Sequence, residues 1–242
     1  MRFVFGFFLL FATVASAQEN KISVHVYDRP PFVTIGRDGT VGGIVGTRAA
    51  KAFAKAGFAV RWVKTPPFRI LPILKANQGR DCAPGWYKTS DREMFLNYSA
   101  PIYRDQPPTA LIRAEYPAPA GITLKDLLTH PDLRLAVRTS TAYGEEIDAL
   151  IKAMPAERVH AYSTDVAAIL KTVHAGHADA IILTSEEVDN LIAEAGFSRA
   201  DFQLARLSDV KQTEARYIVC SRQVPPQMMD RINKAIRQSF QP

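Results

Sequence analysis

The sequence predicts an α/β protein of two similar lobes joined by two chain crossings. Three observations carry this reading. A strand, helix, strand, helix, strand rhythm occurs twice along the chain, as in parallel sheets with crossover helices. The two halves share a short likeness: Leu74-Lys75 followed by Gly79 and Asp81 matches Leu170-Lys171 followed by Gly176 and Asp179. A further strand and helix follow the second half, as expected if the chain returns to the first lobe.

Each element has its own local signature. Lys21 to Tyr27 alternates apolar and polar residues, a strand pattern, and Asp28 to Phe32 breaks it with two prolines. Gly46 to Ala56 has apolar residues at helical spacing, with Gly57 suited to the C′ position. Phe58 to Val63 reads as a strand, Phe68 to Asn77 as a helix stopped near Gly79, and a third strand starts near Asp81. In the second lobe, Leu133 to Arg138, Arg158 to Tyr162 and Ala178 to Leu183 read as strands. The helices between and after them are Ala142 to Met154, Asp165 to Val173 and Ser185 to Ala195. The tail is a strand over Arg216 to Ser221 and an amphipathic helix from Pro225-Pro226 to about Phe240. Tyr103 to Pro108 and Ser208 to Ala215 are expected to cross between lobes. The expected boundaries are 18–105 with 214–242 for lobe 1, and 106–213 for lobe 2.

Composition narrows the function classes. With 242 residues, 47% apolar and 22% charged, the chain is long enough for a real core and unlike a disordered segment. Its first residues are Arg2, an apolar stretch from Phe3 to Val14, then Ala15-Ser16-Ala17. That order is an export signal over 1–17, cleaved after Ala17, so a periplasmic location is expected. The net charge of +6 is scattered, without the basic runs of a nucleic-acid binder. His174 and His177 straddle a helix end without a nearby third ligand, so no metal is expected, and no motif calls for a cofactor.

The segment from Asp81 to Tyr103 carries the chemistry. Ser90 and Glu93 stand in capping-box spacing, which predicts a short helix starting at Asp91. Its free N–H groups would favour an anion, and Arg92 in that first turn could fork a carboxylate. Trp86, after Gly85, is expected to line a cleft. Glu186-Glu187 at a helix start could serve acid–base chemistry, but more often such a pair complements the helix dipole.

These residues resemble the periplasmic solute-binding proteins of family 3, the polar amino acid receptors of ABC importers. The likeness rests on Asp81, Gly85, Thr89, Arg92 and the run Tyr98 to Tyr103. It is extended by Pro31-Phe32, Phe68, Leu71-Pro72-x-Leu74, Val137 to Thr141, Gly176-x-x-Asp179-Ala180 and Tyr217 to Cys220. It implies two Rossmann-like lobes of the type II periplasmic binding protein arrangement, closing by a hinge over a cleft. It further implies that Arg92 holds a ligand carboxylate with groups near Gly85, Tyr87 and Thr89. Phe68 would form a wall and Thr141 would donate from lobe 2. In the same fold the strand after the second crossing neighbours the Asp-led strand, which implies a Cys82–Cys220 disulfide.

Two departures bear on the solute. The acid that usually takes the α-amino group is replaced by Leu183 or Thr184, and a usual aromatic is replaced by Arg29. With Arg29 and Arg92 both facing the cleft, an anionic or carboxylate-bearing solute is expected over a basic amino acid. The leading reading is a monomeric, non-enzymatic receptor delivering a small solute to a membrane permease or a sensor. The alternatives are an enzyme on the same scaffold, similar to cyclohexadienyl dehydratases and using Glu186 or Glu187, and a ligand-free scaffold that binds a protein.

Overall fold

Five strands at each end of the molecule form two separate sheets of matching design. A computed structural model describes residues 20–139, 141–210 and 213–240. The first sheet begins with β1 (Lys21–Val26), followed by the small hairpin of β2 (Thr34–Ile35) and β3 (Val41–Gly42). Then come α1 (Ile44–Lys55), β4 (Ala59–Lys64), α2 (Pro67–Ala76), β5 (Asp81–Trp86), α3 (Ser90–Glu93) and β6 (Leu96–Arg104). The chain crosses and builds β7 (Thr109–Arg113), α4 (Leu124–Thr129), β8 (Leu135–Arg138), α5 (Glu145–Ala153) and β9 (Val159–Tyr162). The second lobe continues with α6 (Val166–His174), β10 (Ala180–Leu183), α7 (Val188–Glu194) and β11 (Phe202–Arg206). The return crossing leads to β12 (Ala215–Ser221) and α8 (Pro226–Ser239).

Strand order is β4-β1-β5-β12-β6 in the first sheet and β9-β8-β10-β7-β11 in the second. Both have a parallel trio flanked by antiparallel strands. In each lobe the strand beside the trio, β12 or β7, arrives directly from a crossing. Each sheet therefore contains a strand that continues into the hinge, so the hinge is anchored in two cores.

Sequence dictates the packing. On α8, Met228, Met229, Ile232, Ala235 and Ile236 recur at helical spacing and are buried with Phe53, Val45 and Ile22. Burying each large apolar side chain contributes roughly 1.5–3 kcal/mol. Asn77 ends α2 in the left-handed conformation at φ 55, so the stop precedes the expected Gly79. Cys82 and Cys220 lie opposite each other in β5 and β12 and form a disulfide.

Two local expectations are corrected. α3 starts at Ser90 with Thr89 as its cap, and no side-chain cap bond forms. Glu93 pairs instead with Lys88 at 2.7 Å, so the capping box is not made. α7 starts at Val188 rather than Ser185, because Ser185, Glu186 and Glu187 bond outside the helix. Ser185 meets Thr109 at 2.7 Å, and both glutamates reach lobe 1. The export signal predicted over 1–17 lies outside the described residues. No helix among those described is long and apolar enough to cross a membrane.

Candidate ligand-binding cleft

A cavity of about 1040 Å³ runs between the lobes, where the C-terminal ends of β1, β5, β8 and β10 converge. Gly85 bends the end of β5 at φ 88, and a Cβ there would sit 3.2 Å from Val45, so glycine suits this position on both grounds. The bend brings Trp86 and Tyr87 to the cleft wall. From the short α3 the Arg92 guanidinium lies over the Trp86 ring at 5.2 Å and donates to the Tyr87 carbonyl at 3.3 Å. It has no carboxylate partner within ion-pair distance among the described residues. Burial lowers the Arg92 pKa, the direction expected of a cation short of counter-charge.

Lobe 2 presents Arg138 at the end of β8 and Thr141 beyond it. The Arg138 backbone N–H donates to the Tyr143 hydroxyl at 2.7 Å. Arg138 lines the cleft, and its guanidinium has no hydrogen-bond or ion-pair partner among the described residues. Apolar side chains from Phe68, Leu71, Ile147, Val166 and Leu191 cover much of the wall.

Two ion pairs form the floor. Arg29, from the turn after β1, donates from Nε and Nη2 to both Glu187 oxygens, at 2.6 and 2.7 Å. The Thr184 hydroxyl also donates to Glu187. Burial would raise the Glu187 carboxyl, but Arg29 outweighs it and holds it below the usual carboxylate range. Burial likewise works to lower Arg29, and Glu187 overrides it upward. The second pair joins the crossings: Arg216 donates to both Asp105 oxygens at 2.6 and 2.7 Å, and to the Gly85 carbonyl at 3.0 Å. The Tyr87 hydroxyl bonds to Asp105 as well. Here burial prevails and pushes the Asp105 carboxyl up against the pull of Arg216. Beside these pairs, Glu186 accepts from the Tyr103 hydroxyl at 2.6 Å and from the Gln106 backbone N–H at 2.8 Å.

Of the residues singled out in the sequence, Arg29, Phe68, Gly85, Trp86, Tyr87, Arg92, Thr141 and Thr184 line this cleft. Thr89 does not; it caps α3. Arg29 corrects one expectation: its fork is filled by Glu187, so it offers no free charge to a second anionic group. Leu183 packs in the lobe 2 core and also borders the cleft, and Thr184 serves Glu187. Glu186 and Glu187 serve contacts to lobe 1 rather than the helix dipole. His174 stacks on Phe197 at 4.4 Å. Sequence reasoning gave no role to Arg138, Asp105 or Arg216. The one available signal was an arginine at the C-terminal end of a predicted parallel strand, where ligands gather.

The model of the bacterial extracellular solute-binding proteins, family 3, matches residues 22–241. The chain belongs to that family. No curated protein matches it in sequence. Among solved structures, the arginine-bound form of truncated ArgBP from T. maritima is similar, with TM-score 0.67 and 21% identity. That similarity covers 93% of this chain and 98% of that one. An ancestral arginine-binding protein bound to glutamine gives TM-score 0.66 at 16% identity, over 90% of this chain and 91% of that one. EhuB in complex with hydroxyectoine gives 0.67 at 20%, over 92% and 84%. At these identities the likeness establishes the two-lobe fold of type II periplasmic binding proteins. The family match establishes a solute-binding receptor.

Proposed function

We propose that this family 3 protein is a periplasmic receptor that closes its lobes over one small carboxylate-bearing solute, an amino acid or an organic anion. The observation that carries the solute class is the Arg92 guanidinium, half-buried in the interlobe cavity with no acid within ion-pair distance among the described residues. A ligand carboxylate would supply that charge through a two-pronged hydrogen bond, with backbone groups around Gly85 and Tyr87 and the exposed Phe68 ring beside it. Thr141 and Thr184 would complete the contacts from lobe 2. Because a ligand shifts an opening equilibrium only by touching both lobes, contacts from each side favour the closed form.

On this reading residues 18–105 with 214–242 form lobe 1, and 106–213 form lobe 2. Residues 1–17 direct export, and the loaded receptor meets an ABC permease or a sensor as a monomer, with no role for nucleic acid. A non-catalytic role is supported by Glu187: with Arg29 holding it ionised, it is poorly suited to donate a proton. Native mass spectrometry of the protein purified from its own periplasm tests the proposal. One small carboxylate per chain is expected, lost on unfolding and rebound on refolding. A cleft that neither carries nor rebinds any small acid would overturn it.

A further inference from the structure

We propose that the solute is a dianion without an ammonium group, one anionic end held by Arg92 of lobe 1 and the other by Arg138 of lobe 2. This rests on the receptor reading and deepens it. Four arginines line the cavity: Arg29, Arg92, Arg138 and Arg216. Two are already filled, Arg29 by Glu187 and Arg216 by Asp105, each through both carboxylate oxygens. Arg92 and Arg138 remain, one on each lobe, with no acid on their guanidinium groups among the described residues.

The same pairing removes the natural seat for an ammonium. Glu187 is the buried acid of the lobe 2 wall, and both its oxygens are taken by Arg29, a cation tethered to the protein itself. An incoming ammonium would have to displace that fork. The other acids offer little. Asp28, Glu146, Asp165 and Glu194 stand exposed at the rim, with Asp28 accepting from the Ile35 backbone N–H at 3.2 Å and Asp165 spent capping α6. Asp148 accepts from the Tyr143 backbone N–H at 3.1 and 3.3 Å, and Glu214 from that of Glu145 at 3.3 Å. Asp148 attracts Arg92 from beyond ion-pair distance, but burial raises both carboxyls, which weakens them as counter-ions.

Closing two unpaired guanidinium groups away from water is costly. An anion at each end would remove that cost, so closure would require both. Much of the cavity wall is apolar, with Leu71 and Trp86 from lobe 1 and Ile147 and Leu191 from lobe 2. A hydrocarbon or aromatic spacer fits such walls better than a polar one.

Calorimetry on the full mature protein tests this with succinate, glutarate, adipate and phthalate as dianions. Hexanoate and benzoate serve as single-charge controls, and glutamate, glutamine and arginine as ammonium-bearing ones. At least one plain dianion is expected to bind more tightly than every control. Arg138→Gln should weaken that dianion tenfold or more while leaving single-charge acids unchanged, and Arg138→Lys should restore part of the difference. Arg92→Gln should remove binding of both classes. A dianion affinity unchanged in Arg138→Gln, or an amino acid as the tightest ligand, would overturn the proposal. In the amino acid case, loss of binding in Arg92→Gln would leave the receptor reading standing. If none of these probes binds, the dianion proposal fails, whereas the receptor reading fails only if no carried solute is found.

Discussion

Two guanidinium–carboxylate forks flank the Phe32 ring, Arg216 at 3.8 Å from its centroid and Arg29 at 5.3 Å. They use one chemistry in two settings. Arg216 and Asp105 are 2% and 4% exposed and join residues at the two crossings. Arg29 and Glu187 are 30% and 7% exposed and belong to opposite lobes. The first pair is enclosed by aromatic rings and backbone, and it fixes the root of the hinge. The second is reached by solvent from the cleft and must separate whenever the lobes part. Burial depth therefore distinguishes a permanent joint from a reversible one. The two carboxyls also shift in opposite directions: for Asp105 burial and the nearby Glu186 outweigh Arg216, and for Glu187 the contacts with Arg29 and Thr184 outweigh burial.

The largest expected effect follows from breaking the permanent joint. Arg216→Ala strands a buried Asp105 carboxylate, and chemical denaturation should show a loss of about 3–5 kcal/mol. A loss below 1 kcal/mol would mean that the two pairs are alike. Next is the covalent tie on the same lobe. Removing it with Cys82→Ser and Cys220→Ser together frees a loop of 138 residues and should cost about 2–5 kcal/mol. Equal denaturation midpoints for the variant and the reference protein would refute that.

A smaller effect is expected at the reversible joint. Glu187→Gln should cost roughly 1–3 kcal/mol, the worth of hydrogen bonds to charged groups. It should also widen the ligand-free particle in small-angle scattering, whereas Arg216→Ala should not. Similar scattering from the variant and the reference would show that the pair does not hold the lobes.

The subtlest distinction is in pH. Glu187 has a folded value below its ordinary one, so its stabilisation is complete above the ordinary glutamate range, near about 4.3. It is lost as pH falls through the lowered folded value. Asp105 has the opposite sign. Its folded value is raised, so between the ordinary aspartate value near about 3.9 and that raised value the native state holds the extra proton, and stability falls as pH rises. Carboxyl-carbon NMR should therefore find Asp105 titrating above the ordinary aspartate value and Glu187 below the ordinary glutamate value. Displacements of the opposite signs would contradict the difference between the two pairs.

Much of the architecture was readable from local pattern. Parallel strands and their helices declare themselves by periodicity, as at Lys21 to Val26 and on α8. The strands β6, β7 and β11 were not, for physical reasons. Pro101 lies within β6 and breaks its strand pattern in the sequence, and β7 is a short run, buried from Thr109 to Ile112, that has no alternation to read. β11 becomes a strand by pairing with β7, a contact set by the chain's return rather than by its own five residues. In the cleft, Arg92 could be placed from its neighbours, because the bend at Gly85 and the short helix are local. Arg29 could not, because its partner Glu187 is 158 positions away. Charge pairing across lobes leaves no mark on either segment alone, so a residue expected to attract an anion is in fact neutralised.

The role of Arg92 is tested most directly by thermal unfolding of the mature protein and its Arg92→Gln variant against a panel of carboxylic acids and amino acids. Some members of the panel should raise the unfolding temperature of the unsubstituted protein in proportion to the logarithm of concentration. None of them should raise that of the variant, whose own unfolding temperature should stay close to the reference. Equal stabilisation of both proteins by the same compounds would show that Arg92 does not hold the solute.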